Sequence, residues 1–138
     1  MATNVLGRSN MNAHVILGSA AIAALIGFAS TPVFADEGAE VATAAQHAGM
    51  AAGSADIKMV HMHLHHVVNC IVGPSGDGFD KGAGNPCDGK GNGALMDNPG
   101  DKKASIEDAL AKAKAGIAND DVAASKKFAA DAQAALVK

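Results

Sequence analysis

The 138-residue sequence contains no tryptophan, no tyrosine and only four phenylalanines. Most of its apolar content is alanine, so any core it builds is thin. Burial alone stabilises so small a chain little, which favours a disulfide or a metal ion as a staple. Basic residues are also scarce: 11 lysines and arginines stand against 14 acids, for a net charge of −3. Neutralising phosphates needs a basic face, so nucleic acid is excluded as a partner. No Cys-x-x-Cys-His is present, which excludes covalent c-type haem and leaves noncovalent haem between two histidines as a minor option. No Gly-Lys-Ser/Thr follows a strand, so there is no phosphate loop. Asp77, Asp80 and Asp88 lie among glycines but lack the alternating register and closing glutamate of a calcium loop. No set of nucleophile, base and water-excluding pocket is visible, and the chain is read as a non-enzyme.

Long apolar runs are absent too, with one exception near the start. Residues 15–29, VILGSAAIAALIGFA, follow a polar segment carrying Arg8 and precede Val33-Phe34-Ala35. A polar start, a short apolar run and small residues before a cut are the layout of a secretory signal peptide. The run is short for a membrane span, which needs roughly 20 residues. We therefore expect residues 1–35 to be removed, leaving 36–138 as one periplasmic or secreted domain with no membrane contact. Losing Arg8 leaves ten basic side chains against fourteen acidic ones. The two cysteines, Cys70 and Cys87, are then expected to form a disulfide, as export favours.

Four helices are predicted. Residues 37–52 are alanine-rich with Val41, Ala44, Ala45, Ala48 and Ala52 at helical spacing. Residues 57–72 carry Ile57, Val60, Leu64, Val67, Val68 and Ile71, an i, i+3, i+4, i+7 stripe. Gly73-Pro74 ends it, and glycine and proline density makes residues 73–101 a long loop, ordered by Phe79, Cys87, Leu95 and Met96. A third helix is expected from Ser105, as a cap paired with Asp108, to Ile117. The fourth runs from Asp121 to Val137. Shifting the chain by 65 residues places Asp56-Ile57 on Asp121-Val122 and Ile71-Val72 on Leu136-Val137. The fold class is therefore all-α: two helical hairpins, 37–72 and 104–137, packed as an antiparallel four-helix bundle around a glycine-rich loop.

The C-terminal hairpin, EDALAKAKAGIANDDVAASKKFAADAQAAL, resembles the repeats of periplasmic small metal-binding proteins. The shared pattern covers residues 107–136 and, less closely, 44–72. The resemblance implies short helical hairpins that sequester divalent metals such as copper through helix-borne histidines. The second hairpin here has only lysines, such as Lys112 and Lys126, so a metal function would reside in the first.

That first hairpin holds the densest chemistry in the chain: Met59-Val60-His61-Met62-His63-Leu64-His65-His66-Val67-Val68-Asn69-Cys70. At about 100° per residue the stretch divides into two groups. His61 and His65, one turn apart, flank the apolar stripe on one side and are expected to recruit His47 from the preceding helix. His63, His66 and Cys70 share another face with Met59. Met59 and Met62 are candidate thioether ligands, and Asp121 a candidate supporting carboxylate. Imidazole with thioether suits copper first, and nickel or zinc next. Free thiols would make a Cys2His2 site with His63 and His66 instead. The competing reading is a structural or interaction module with a disulfide-pinned loop and solvated histidines.

Overall fold

The computed structural model describes residues 38–138. The expected signal peptide and its cleavage site lie outside the described residues. Five helices follow one another: α1 (Ala39–Gly53), α2 (Ile57–Val72), α3 (Ala94–Asp97), α4 (Lys103–Ile117) and α5 (Val122–Leu136).

The second helix of each hairpin starts at an aspartate. Asp56 Oδ1 accepts the Lys58 N–H at 2.7 Å, and Asp121 Oδ1 accepts the Ala124 N–H at 2.8 Å. Each satisfies a backbone donor that the helix cannot, and each is worth about 1 kcal/mol. The two caps stand 65 residues apart, as the internal repeat requires. Asp121 is thereby committed to α5, which corrects its expected role beside the histidines.

α1 packs beside α2 and α5, and α4 beside α5 and α2; α2 also touches α5 across the centre. This is the antiparallel four-helix bundle. Alanine faces line it: Ala44, Ala48, Ala51, Ala109, Ala113, Ala129 and Ala132 are fully buried. Small side chains let helix backbones approach, and the larger volume comes mainly from one helix. α2 supplies Val60, Leu64, Val67 and Ile71, with Ile106 of α4 beside them. Gly116 shows how tight the packing is, since a Cβ there would lie 2.6 Å from Leu64 Cδ1 and 3.2 Å from Phe128 Cβ.

Two boundaries differ from expectation. α4 starts at Lys103, because the Gly100 turn (φ 101°) already presents its carbonyl to the Lys103 N–H. Ser105 is not the cap; its hydroxyl donates back to Lys102 O at 2.9 Å. α3 breaks the loop with one helical turn, where Ala-Leu-Met-Asp interrupts the glycines and Ala94 is fully buried.

The loop folds back on its own start. Gly73 (φ 70°) ends α2, and Gly93 (φ 119°) lies against it; a Cβ on Gly93 would be 2.6 Å from Gly73 N. Both glycines thus serve positive φ and close backbone approach. Glu40 of α1, buried, fastens this return by accepting the Gly93 N–H at 2.9 Å. Burial raises the Glu40 carboxyl above its ordinary range, and the neighbouring Asp97 adds to the rise.

Candidate metal centre

The hairpin connection is short, so α1 and α2 run antiparallel with residues near 47 and 63 opposite each other. His47 Nδ1 lies 3.2 Å from His63 Nδ1 and 3.3 Å from His66 Nδ1. The three ligand nitrogens all fall within 4.8 Å of one another. All three side chains are half-buried. His47 therefore joins His63 and His66, which corrects its expected grouping with His61 and His65. The wheel of α2 alone could not decide this, because it does not say which flank α1 covers.

His61 and His65 are occupied otherwise. His61 Nε2 donates to the Asn119 carbonyl at 2.9 Å, binding α2 to the turn between α4 and α5. The same carbonyl lies 2.6 Å from the buried Ser125 hydroxyl. His65 Nδ1 is 3.2 Å from the Asp80 carboxylate on the loop. The described structure brings these two histidines into no shared site.

Cys70 and Cys87 are joined in a disulfide, which ties the loop to α2 next to the cluster. Asn69, fully buried, completes the attachment. Its Nδ2 donates to Asp80 O at 2.7 Å and Gly84 O at 2.6 Å, and its Oδ1 accepts the Asp80 N–H at 2.8 Å. The loop so held presents the Ala83 carbonyl 2.7 Å from His66 Nε2. A carbonyl only accepts, so Nε2 carries the proton. In neutral His66 the lone pair is then on Nδ1, aimed at His47. Asn69 and Ala83 escape a motif search. The signal for Asn69 was a lone amide inside the apolar run Val67-Val68-Asn69-Cys70-Ile71.

Three imidazole nitrogens this close cannot all face one another as bare lone pairs: either neutral His47 carries its proton on Nδ1 and donates to its neighbours, or a metal ion sits between them. The charged imidazolium form is disfavoured. Burial first, then the neighbouring His66 and His63, push His47 from 6.5 down to about 4. His63 is lowered as well, by burial and then by His66. The spacing also suits a metal ion, since ligand nitrogens at about 2.0–2.1 Å from a tetrahedral ion stand roughly 3.3–3.4 Å apart. The donation from His66 Nε2–H to a backbone carbonyl is the support that metal-binding histidines ordinarily have.

The lowered His47 predicts a pH effect on the metal-free protein. Between pH 6.5 and about 4 the unfolded chain protonates this site and the folded one does not. Its contribution to stability is therefore complete above 6.5 and declines as pH falls towards 4. Urea unfolding at pH 7 and pH 5 should show the decline, and His47→Asn should flatten it. An equal decline in the variant would assign the effect to other groups, His63 and the carboxylates.

A separate cleft of about 450 Å³ lies between Val72, Leu95 and Leu110, rimmed by Lys103 and Lys114; no histidine lines it. Among the described residues no helix is long and apolar enough to cross a membrane. No protein-family model matches the chain, and no curated protein or solved structure shows significant similarity to it. The resemblance of residues 107–136 to periplasmic small metal-binding proteins is matched by no family model; the described residues form a small helical domain with a disulfide and a trihistidine cluster, both outside that hairpin.

Proposed function

We propose that this chain is a non-enzymatic, disulfide-stabilised helical module that holds a transition-metal ion at His47, His63 and His66, in order to buffer or sequester it. The observation that carries the reading is the convergence of three Nδ1 atoms, two pairs of them at tetrahedral ligand spacing. Copper is favoured over nickel and zinc, because divalent copper stands highest in the affinity order for nitrogen sites. The disulfide and the leader-like start both support a periplasmic or secreted location.

A second reading also has specific support. His61, His65 and His66 each have a protein partner, in Asn119, Asp80 and Ala83 respectively. On that view the histidines are clamps of a structural or interaction module, and the pinned loop is its recognition surface. Calorimetric titration of the disulfide-intact protein with Cu(II), Ni(II) and Zn(II) separates the two. We expect one ion per chain. His47→Ala should weaken binding by more than the roughly 10–100-fold lost when only a supporting residue is removed. Affinity no better than that of an isolated histidine peptide would leave the structural module standing alone.

A further inference from the structure

The described residues hold four methionines: Met50 on α1, Met59 and Met62 on α2, and Met96 on α3. Met59 precedes His63 by four residues and His66 by seven, so all three share one stripe of α2. Met50 follows His47 by three on α1. The His47–His63 contact fixes the hairpin register. Counting from that contact towards the hairpin tip, Met50 is three residues on along α1 and Met59 four along α2. That register places Met50 and Met59 at facing positions of the hairpin, about one turn nearer its tip than the imidazoles. Met62, half-buried, lies about 100° round α2 from His63, off the stripe that Met59 shares with it.

Both are exposed, Met50 at 39% and Met59 at 44%. Neither contributes to the core, which is short of large apolar side chains and would gain from them. A single exposed methionine needs no explanation; two paired across a hairpin at the mouth of an imidazole cluster do. Thiolate is not available here, since both cysteines are in the disulfide. Thioether is thus the soft donor this face presents, and soft donors select monovalent copper.

We infer that Met50 and Met59 extend the trihistidine site into one that takes Cu(I) as well as divalent ions, with the thioether sulfurs as its monovalent-copper ligands. The inference rests on the metal-binding reading above. The imidazoles serve harder divalent ions, and the methionines add affinity for the soft one only.

The test is Met50→Leu/Met59→Leu in the disulfide-intact protein. Leucine keeps volume and helix propensity, and both positions are exposed, so the bundle should hold by circular dichroism. Cu(I) is supplied anaerobically as its acetonitrile complex against a competing chelator, with no thiol present. We expect Cu(I) affinity to fall at least about tenfold, the lower end of losses at perturbed metal sites. Zn(II) affinity should stay unchanged, and the sulfur scatterer in the X-ray absorption spectrum of the Cu(I) protein should disappear. Unchanged Cu(I) affinity in the double variant, with metal still bound through the histidines, would overturn the methionine inference alone. If the unmodified protein binds neither Zn(II) nor Cu(I), the metal reading falls and this inference falls with it. Should the double variant unfold, the single variants carry the same comparison.

Discussion

Leu64→Asp should abolish the folded bundle. Leu64 is fully buried on α2, the helix that supplies most of the large core side chains, and it packs on the backbone of α4 at Gly116. An aspartate there has no cation or donor to pair with, and burying it costs several kcal/mol. Domains of this size are stable by about 5–15 kcal/mol in all, and an alanine-lined core belongs to the lower end. Far-ultraviolet circular dichroism at 25 °C should therefore lose most of its helical signal. Leu64→Met preserves volume and should cost under about 1.5 kcal/mol, which controls for the mere act of substitution. His66→Ala is the complementary control. It removes the hydrogen bond to Ala83 O and the contact with His47 from a half-buried side chain, about 1 kcal/mol each, and should leave the helices in place. A cooperative, fully helical Leu64→Asp protein would mean that the α2 stripe is not the centre of the core.

What made Leu64 legible was periodicity, since the stripe around it repeats with the helix. The aspartate caps and the 65-residue shift were legible for a similar reason: they depend on neighbours in sequence. The histidines were harder. Their division into two faces of α2 follows from helical geometry, and the structure keeps that division. Which face meets α1 depends on bundle packing, and that placed His47 with His63 and His66. Local chemistry also misled at Ser105, whose capping pattern yielded to the turn at Gly100. The buried Asn69 and Glu40 organise the loop, yet their partners are backbone groups of glycines and an aspartate, which carry no sequence signature. The pairing of Cys70 with Cys87 was readable because only two cysteines exist. Its consequence for His66 was readable only in part: a shared helix face says the loop returns, but not which carbonyl arrives.

That consequence makes the disulfide the strongest lever on the site. Replacing Cys70 and Cys87 by alanine should lower stability by about 3 kcal/mol, as opening a loop of this size does on the chain-entropy model; the two cysteines are 17 residues apart. A second effect should appear even where the protein stays folded. The disulfide and Asn69 together hold residues 80–84 over α2, and Ala83 O is the acceptor that keeps the proton on His66 Nε2. With the loop released, His66 is free to take the other tautomer, which puts a proton on the nitrogen aimed at His47. Metal affinity should then fall about 10–100-fold. Asn69→Ala, with the disulfide intact, should move affinity in the same direction through the same carbonyl. Nitrogen-15 NMR of the imidazoles at a temperature where all the proteins remain folded reads the mechanism directly. The His66 tautomer should shift in both variants, while His61, held by Asn119 O on the opposite flank, should not. If the two variants lose stability but keep both the His66 tautomer and the metal affinity, the loop is a structural strap alone. Two free thiols in the purified protein would remove the premise, and would make Cys70 a ligand candidate beside His63 and His66.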